Sequence, residues 1–456
     1  MRAVAEGAYA NLELPKVLRE KGINGRDAGF ATELVYGATR MRGLYDPVIA
    51  TAARRDPALI DDNVLDTLRL GAHQVLGMRV ATHAAVDETV ALARQVNGIG
   101  ASGFVNAVMR RISERGREEW LDAVAPETMD PIAAIAIRTS HPEWVVRALR
   151  AALIGHGAAT AATVGAELGA LLESDNAAAK VTLVARPGLA TVEELLGDGV
   201  EPARLARTAA VLDQGDPGAF RAVREGRAAV QDEGSQLVAL ALAAAEVEHG
   251  SGRAPERWLD LCAGPGGKAG LLAGLALEDG ASLTANDVSA HRTDLVRKTL
   301  AVAIARGARG QITVCTGDGR EVGEEEQGSY DRVLLDAPCS GLGALRRRPE
   351  ARWRRTQADV TGLATLQRDL LASGIGATRP GGVIGYATCS PHLNETRFVV
   401  SDVVKKRDNV ELVDARGLFV DVMREQIHDL GDGPFVQLWP HRHGTDAMFF
   451  ALLRKL

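Results

Sequence analysis

The first 116 residues carry apolar side chains at the three- and four-residue spacing that is typical of amphipathic helices. One such run covers residues 63–76, a second covers residues 83–96, and a third begins at Gly103. Thr82 directly precedes the second run and is predicted to cap that helix, because a hydroxyl there can accept a hydrogen bond from the first turn. Strand-like alternation is absent from this stretch of sequence, so it is predicted to form a small all-α bundle.

Residues 117–234 show a mixed pattern. Residues 180–185 are predicted to form a strand that Pro187 and Gly188 end, and a short helix is predicted over residues 192–196. We interpret this stretch as a connector or a small α+β subdomain, and its sequence indicates no function.

From residue 235 onward, strand-like runs alternate with helical ones, as in a parallel sheet with helices on both faces. Predicted strands occupy residues 258–262, 282–286, 311–316, 330–336, 383–387, 410–413 and 448–453, and the main predicted helices occupy residues 290–306, 365–378 and 396–406. A chain of 456 residues is too long for one core. We therefore predict three regions: an all-α domain (1–116), the connector (117–234) and an α/β domain (235–456).

Two of the four cysteines directly follow predicted strands. Cys339 comes after the strand at 330–336 and Cys389 comes after the strand at 383–387, and a serine follows each cysteine. Open α/β sheets bind ligands at the carboxyl ends of their strands, so two thiols there indicate nucleophilic chemistry. Cys262 and Cys315 lie within apolar strands and are predicted to be buried small hydrophobic side chains. The sequence has no CxxC pair, and we predict no metal site.

Composition and charge bear on whether the protein contacts a membrane and on how it could bind nucleic acid. The chain is 46% hydrophobic and 25% charged, as in ordinary soluble proteins. It has no apolar run near the roughly 20 residues that cross a bilayer, and its start lacks a signal peptide's apolar core, so we expect a cytoplasmic protein without membrane contact. The formal net charge is −6. Nucleic-acid binding would therefore have to depend on local basic patches.

A glycine-rich loop is predicted to join the first strand of the α/β domain to a helix. It consists of Cys262, Ala263, Gly264, Pro265, Gly266, Gly267 and Lys268. Glycines there let the backbone approach a ligand, although a tight turn without a ligand is the alternative interpretation. The loop has neither the dinucleotide pattern nor the P-loop pattern.

Three carboxylates make a ligand site the better interpretation of this loop. Asp287, Asp318 and Asp336 each follow one of the next three strands. Asp287 is placed to accept hydrogen bonds from ribose hydroxyls, and Asp318 is placed for an adenine amino group. Such a pocket suits S-adenosylmethionine, whose sulfonium and amino groups are positive, and we predict this cofactor.

Three motifs together give the chain a resemblance to a known family. They are residues 260–268, 336–340 and 387–390. With them the chain resembles the RNA cytosine-5 methyltransferases, and within that group the bacterial 16S ribosomal RNA enzymes called RsmB, Sun or Fmu. Residues 26–37, 68–72 and 103–108 are similar to the NusB-like helical domain of those enzymes. The resemblance implies a Rossmann-like class I methyltransferase domain after residue 235 and a NusB-like, RNA-binding domain before residue 117.

The resemblance also implies roles for the strand-end residues. Cys389 is expected to be the nucleophile that adds to carbon 6 of cytosine, and Cys339 is expected to assist release of the methylated product. Asp336 is expected to hold the cytosine edge, and Lys268 to contact this carboxylate or to orient the loop. We expect a monomer that acts on RNA, with small-subunit ribosomal RNA as the favoured substrate.

An arginine-rich run follows the Cys339 motif. Its candidate RNA-contacting residues are Arg346, Arg347, Arg348, Arg352, Trp353, Arg354 and Arg355. A charge run is usually a solvated face. Its position next to the catalytic loop favours contact with RNA phosphates, with the tryptophan stacking on a base.

Other functions remain open from the sequence. The same reaction could act on tRNA or on another ribosomal RNA site. A non-catalytic RNA-binding assembly factor with this fold is a different class, but it would have no need of two strand-end thiols. A small-molecule or protein methyltransferase would leave the arginine run and the helical domain unexplained.

Overall fold

The computed structural model describes residues 1–248 and 255–456 of the chain. They form two compact units. The first consists of Met1–Arg150, Leu168–Ala178 and Leu345–Arg354, and the second of Ala151–Glu167, Ala179–Ala344 and Arg355–Leu456. Within the described residues, none of the helices combines the length and the apolar character needed to cross a bilayer.

The first unit is helical. Its helices are α1 (Arg2–Ala5), α2 (Ala10–Glu20), α3 (Gly25–Arg40), α4 (Arg42–Ala53), α5 (Asp62–Leu76), α6 (Thr82–Val96), α7 (Ile99–Ser113), α8 (Arg117–Val124) and α9 (Pro131–Arg138). Two further helices, α10 (Glu143–Gly155) and α11 (Val164–Asn176), each begin in one unit and end in the other. Helices α8 and α9 pack against α4, so this unit continues beyond the predicted boundary at residue 116.

The three helices predicted from periodicity are confirmed as α5, α6 and α7. Asp61 caps α5, because its carboxylate accepts hydrogen bonds from the backbone amides of Asn63 and Val64 at 3.0 and 3.3 Å. The predicted cap at Thr82 is wrong. Thr82 is the first helical residue of α6, and Ala81, whose backbone is extended, occupies the cap position.

A small antiparallel sheet follows in the second unit. Its strands are β1 (Val181–Ala185), β2 (Val200–Pro202), β3 (Ala209–Leu212) and β4 (Ala228–Val230), in the order β2-β3-β1-β4, with α12 (Arg221–Arg224) beside them. The predicted strand at 180–185 is confirmed as β1, and a 3₁₀ turn at Glu193–Leu195 stands where the short helix was predicted. Strands β2, β3 and β4 have only three or four residues, which is too short for a periodic signal.

The larger sheet of the second unit has eight strands among the described residues. They are β5 (Arg257–Asp260), β6 (Ser282–Asp287), β7 (Ile312–Thr316), β8 (Tyr330–Asp336), β9 (Thr378–Thr388), β10 (Val410–Val413), β11 (Val436–Gln437) and β12 (Phe449–Lys455). Their order is β10-β12-β9-β8-β5-β6-β7, and β11 pairs with β12. Each of the seven predicted strands corresponds to one of these: β8 and β10 have the predicted limits, and the ends of the others differ by up to five residues.

Helices connect the strands and cover both faces of the sheet. They are α13 (Glu233–Ala244), α14 (Gly267–Glu278), α15 (Ala290–Arg306), α16 (Val322–Glu325), α18 (Gln357–Ala377), α19 (Arg397–Val404), α20 (Ala415–Val422) and α21 (Pro440–His443), whereas α17 (Ala351–Arg354) belongs to the first unit. Further 3₁₀ turns lie at Pro57–Leu59, Pro217–Ala219 and Leu393–Glu395. The predicted helix at 290–306 is confirmed without change as α15.

The strand directions differ from prediction at one place. Strands β5 to β9 pair in parallel, but β12 runs antiparallel to both of its neighbours, β9 and β10. An alternating or continuous apolar pattern determines which faces of a strand are buried and carries no information on its direction. The sheet is therefore mixed rather than wholly parallel.

Apolar side chains are buried on both faces of this sheet. Adjacent strand residues point to opposite faces. Leu334 and Phe450 accordingly lie in the core that α13 and α14 cover, while Val333 and Phe449 lie in the core that α18 and α19 cover. Burial on both faces holds the strands rigidly, so residues at their carboxyl ends have defined positions.

Candidate active site

Four parallel strands end at the same edge of the larger sheet. Strands β5, β6 and β8 end at Asp260, Asp287 and Asp336, and β9 ends at Thr388, one residue before Cys389. Strand β8 pairs with both β5 and β9, so the segments that follow these three strands are neighbours. This is the edge at which open α/β sheets bind ligands.

The structure brings Cys339 and Cys389 together. Their Sγ atoms are 3.4 Å apart, and the two thiols are half-buried. The Gly343 amide donates a hydrogen bond to the Cys389 carbonyl at 2.9 Å, which ties the two cysteine segments together beyond the sheet. The hydrogen bond with Cys389, together with burial, raises the pKa of the Cys339 thiol well above its usual value. The raised pKa favours the protonated form of Cys339, and either sulfur can be the donor in the contact between the two thiols.

An ion pair between a buried lysine and a half-buried aspartate lies beside the thiols. The Lys268 ammonium, at the start of α14, is 2.8 Å from a carboxylate oxygen of Asp336. Burial acts to lower the pKa of Lys268, but attraction to Asp336 and the hydrogen bond with it outweigh burial, and the pKa is raised. The predicted contact between these two side chains is confirmed. The positive charge also lies close enough to Cys389 to interact with it electrostatically.

The glycine loop is held against the end of β6. The Gly264 amide donates to one carboxylate oxygen of Asp287 at 3.0 Å, and the Ser289 amide donates to the other at 3.0 Å. Arg292 forms an ion pair with Asp287 at 3.3 Å and donates to the Gly264 carbonyl. A Cβ atom on Gly264 would come 2.5 Å from Asp287 Oδ2 and from Arg292 Nε, so a larger residue here would require both side chains to shift. Asp287 retains acceptor capacity, because a carboxylate offers about four lone-pair positions.

Asp260 is a site residue that the sequence-based selection missed. Its side chain is 1% exposed, and neither carboxylate oxygen has a hydrogen-bond partner of normal geometry, although the Cys262 amide is close. Burial and the nearby charge of Asp336 raise its pKa to about 8. The signal was available, because Asp260 ends a strand just as Asp287 and Asp336 do.

Asp318, which was predicted to bind an adenine amino group, is paired with an arginine in the structure. Both carboxylate oxygens of Asp318 accept hydrogen bonds from Arg320, at 2.5 to 3.1 Å, and the pKa of Asp318 is lowered mainly by these hydrogen bonds.

Cys315 is exposed, so the prediction of a buried side chain is wrong for it. It lies on β7, which ends the sheet order and, among the described residues, has a neighbouring strand on one side only. Cys262 is half-buried, and desolvation raises the pKa of its thiol.

A second buried carboxylate lies between the two cysteine segments and was also missed. Glu395 is 0% exposed and accepts hydrogen bonds from Ser340 and Ser390, the residues that follow the two cysteines. Gln367 of α18 donates to the Pro338 carbonyl at 2.8 Å and lies 3.4 Å from Glu395. A glutamate seven residues beyond the end of β9 carries no distinctive sequence signal.

The arginine-rich run packs within the helical unit. Arg352 is 0% exposed and donates to the carbonyls of Ser140 and Asp175 and to the Asn176 side chain at 2.8 to 3.1 Å. A side chain without exposed surface cannot contact an RNA phosphate, so the predicted RNA contact is wrong for Arg352. Trp353 donates to the Thr39 carbonyl at 3.3 Å.

The rest of the run is also partly or wholly withdrawn from solvent. Arg354 donates to the carbonyls of Val4, Gly7 and Ala8, and Arg348 lies over the Tyr9 ring at 5.1 Å. The structure leaves Arg346 buried and Arg347 and Arg355 half-buried. For these residues RNA contact stays a prediction.

The fold and the site define a Rossmann-like class I methyltransferase domain, with a separate helical domain before it in the chain. Two family models match: the 16S rRNA methyltransferase RsmB/F over residues 251–454, and the NusB family over residues 2–114. The chain belongs to the RsmB/F methyltransferase family.

Full-length relatives agree with this assignment. The chain is 51% identical to "Putative methyltransferase Rv1407" of Mycobacterium tuberculosis, an alignment that covers 100% of this chain and 95% of the relative. It is 30% identical to the ribosomal RNA small subunit methyltransferase B of Pseudomonas putida, covering 100% and 97% of the two chains. The crystal structure of PH0851 has the same fold, with a TM-score of 0.76, 22% identity and coverage of 97% and 93%.

Proposed function

We propose that this methyltransferase uses S-adenosylmethionine to form 5-methylcytosine in 16S ribosomal RNA through a covalent bond between Cys389 and the base. The observation that carries the proposal is the pair of thiols 3.4 Å apart, with the Lys268–Asp336 ion pair beside them. One cysteine would suffice for simple nucleophilic attack. Two at adjacent strand ends fit a reaction in which a covalent bond to the enzyme is made and then broken.

The residues at the strand ends fit the proposed cofactor. S-adenosylmethionine supplies a methyl group on a positively charged sulfonium when it is bound. The buried and poorly partnered carboxylate of Asp260 is suited to a positive group. The loop at 262–268 would hold the cofactor by its backbone, and Asp287 would accept hydrogen bonds from ribose hydroxyls. Asp318 would have to share its carboxylate with Arg320.

Cys389 activates the base in this proposal. Carbon 5 of cytosine is a poor nucleophile until a thiolate adds to carbon 6 and makes the ring enamine-like. The protonated Cys339 and the Lys268 ammonium are the groups that favour a thiolate at Cys389. Asp336 would hold the cytosine edge while the thiolate adds.

Cys339 acts on the second half of the reaction. After methylation the carbon 5 proton passes to a base such as solvent water, the electron pair of that C–H bond reforms the ring double bond, and the sulfur on carbon 6 leaves as the Cys389 thiolate. Cys339, whose sulfur is next to that of Cys389, assists this departure. The base must be unpaired or flipped out of a helix to reach these thiols.

The relatives support ribosomal RNA as the substrate. The family model is described as a 16S rRNA methyltransferase, and the Pseudomonas putida relative is named for the small ribosomal subunit. A reaction on tRNA or another ribosomal site is the second candidate. A non-catalytic assembly factor is disfavoured, because the thiol pair and its ion pair are complete.

Bisulfite sequencing of ribosomal RNA tests the substrate. RNA from cells that lack the protein should lose one or more 5-methylcytosine signals in 16S rRNA, and the wild-type gene should restore them. The Cys389→Ala gene should not restore them. An unchanged 16S pattern together with a lost signal in tRNA would move the assignment to tRNA.

A further inference from the structure

The carboxylate of Glu395 lies between the two cysteine segments and bonds to both. We propose that Glu395 is a positioning residue of this enzyme, which fixes the Cys339 segment and the Cys389 segment relative to each other through Ser340 and Ser390. The inference rests on the proposed function of the two thiols and adds to it a residue that neither touches the base nor binds the cofactor.

The contacts on the two oxygens of Glu395 come from both segments. One oxygen accepts the Ser340 amide at 2.7 Å. The other accepts the Ser340 hydroxyl at 2.5 Å and the Ser390 hydroxyl at 2.7 Å. The two hydroxyl oxygens are themselves 3.1 Å apart. A single buried carboxylate therefore connects the residue after one catalytic thiol with the residue after the other.

Glu395 can serve as a fixed point because its own position is held by rigid elements. The Tyr386 hydroxyl, on β9, donates to the Glu395 backbone carbonyl at 2.6 Å. The Gln367 amide, on α18, is 3.4 Å from a side-chain oxygen of Glu395 and 2.8 Å from the Pro338 carbonyl. Because β9 and α18 belong to the packed core, the carboxylate cannot move without them.

The ionised carboxylate suits the contacts on both of its oxygens. One oxygen faces the N–H groups of Ser340 and Gln367, which can only donate, and the other accepts from two hydroxyls. In Glu395→Gln the NH₂ group would either face these N–H donors or reverse the direction of both hydroxyl hydrogen bonds, and the charge that strengthens all of them is lost. Each serine would then lose part of its attachment, and the thiols would no longer be held at a separation of 3.4 Å.

The charge of Glu395 has a second consequence for the thiols. The pKa of Cys339 is raised chiefly by its hydrogen bond with Cys389 and by burial, and the negative charges of Cys389 and Glu395 add to the effect. Removing the charge and loosening the hydrogen bond both act to lower this pKa. The pH dependence of Cys339 alkylation therefore reports on Glu395 without any RNA substrate.

The experiment compares the full-length wild-type enzyme with Glu395→Gln, Ser390→Ala, the double variant, and Glu411→Gln as an exposed control on β10. We expect kcat for methyl transfer to RNA to fall about 10- to 100-fold in Glu395→Gln, the size expected when reacting groups are misplaced by about 1 Å. KM for RNA should change by less than about twofold, because the base-contacting groups are intact. Alkylation of Cys339 by iodoacetamide, followed by peptide mass spectrometry, should shift to lower pH.

The double variant tests whether Glu395 and Ser390 act together. Because Glu395 acts through the serines, the double variant should be no worse than Glu395→Gln alone. Glu411→Gln should match wild type in every readout. If Glu395→Gln does not fold, the same measurements are made on Ser340→Ala and Ser390→Ala, since each of these variants removes one hydroxyl that bonds to Glu395.

Wild-type kcat and an unshifted Cys339 alkylation profile in Glu395→Gln would overturn the proposal, as would strictly additive losses in the double variant. Failure of the proposed function is a different result. In that case wild type would transfer no methyl group to RNA, while the alkylation profiles would still decide whether Glu395 positions the thiols.

Discussion

The thiols of Cys339 and Cys389 are neighbours at the end of two adjacent strands. The contact with the Cys389 sulfur and burial raise the pKa of Cys339, because a second negative charge there is unfavourable. The Lys268 ammonium interacts electrostatically with Cys389. The positions of the cysteines in the chain do not reveal these interactions, which arise from the 3.4 Å contact between their sulfur atoms.

The roles proposed for the two thiols predict opposite outcomes for two alanine variants. Cys339→Ala should accumulate a covalent RNA adduct, because the bond to Cys389 forms but is not released. Cys389→Ala should form no adduct. Incubation with RNA and cofactor, followed by a denaturing gel, distinguishes them, and an adduct with Cys389→Ala instead would reverse the assignment of roles.

Asp260 makes folding stability depend on pH. Its pKa is about 8 in the folded protein and 3.8 in its ordinary environment. A raised carboxyl pKa contributes stability that is complete below the ordinary value and is lost as pH rises through the folded value. The carboxylate is therefore increasingly unfavourable between about pH 4 and about pH 8.

Replacing Asp260 with Asn should remove this pH dependence. In ligand-free protein, Tm of Asp260→Asn minus Tm of wild type should increase steadily from about pH 5 to about pH 8. Cofactor affinity should fall in the same variant, because a positive ligand loses its buried carboxylate. Calorimetry and equilibrium binding measure the two effects, and a Tm difference that stays constant with pH would contradict the explanation.

At the scale of elements, Gly264 in the turn from β5 into α14 makes close side-chain contacts that Gly267 lacks. A Cβ atom at Gly264 would meet Asp287 and Arg292 at 2.5 Å, whereas a Cβ atom at Gly267 would have no protein atom within 4 Å. Gly264→Ala should therefore lower the free energy of unfolding by roughly 1–3 kcal/mol and weaken cofactor binding.

Gly267→Ala is the matched control for stability. It should leave the free energy of unfolding unchanged or slightly raised, since alanine favours the first turn of α14. Urea denaturation of both variants provides the comparison. Equal losses of stability would mean that the contacts at Gly264 do not determine the loop.

The segment containing α17 illustrates how a charged run can be structural. Arg352→Ala would leave buried carbonyls without a donor and should lower stability by about 3 kcal/mol. The slope of RNA affinity against salt concentration should stay the same, since this side chain makes no phosphate contact. Arg55→Ala, an exposed position, is the stability control. A wild-type Tm together with a reduced salt slope would restore the RNA-binding interpretation of Arg352.

At the scale of the whole molecule, the larger sheet derives its rigidity from a core on each face. Phe450 on β12 is 0% exposed, and Phe398 on α19 is 49% exposed. Phe450→Ala should lower the free energy of unfolding by about 3–5 kcal/mol, while Phe398→Ala should lower it by less than about 1 kcal/mol. Thermal or urea unfolding measures both, and similar losses would contradict the assignment of Phe450 to the core.

Local pattern was sufficient for most of the α/β domain. Strands β8 and β10 and helix α15 have the predicted limits, because periodic burial and strand-end residues are encoded within a few neighbouring positions. The short strands of the connector and the direction of β12 were not predictable, since neither leaves a periodic signal. Strand-end Asp260 was predictable by the rule that identified Asp336, but it was not selected.

The sequence by itself determined most elements of the α/β domain, the strand-end position of both thiols and the family to which the motifs belong, because these depend on residues close together in the chain. Only the tertiary structure decided what those residues contact. It placed two sulfur atoms 50 positions apart in sequence at 3.4 Å, joined both cysteine segments to Glu395, and enclosed Arg352 in the helical unit. Such contacts depend on how distant segments pack, and local patterns do not specify that packing.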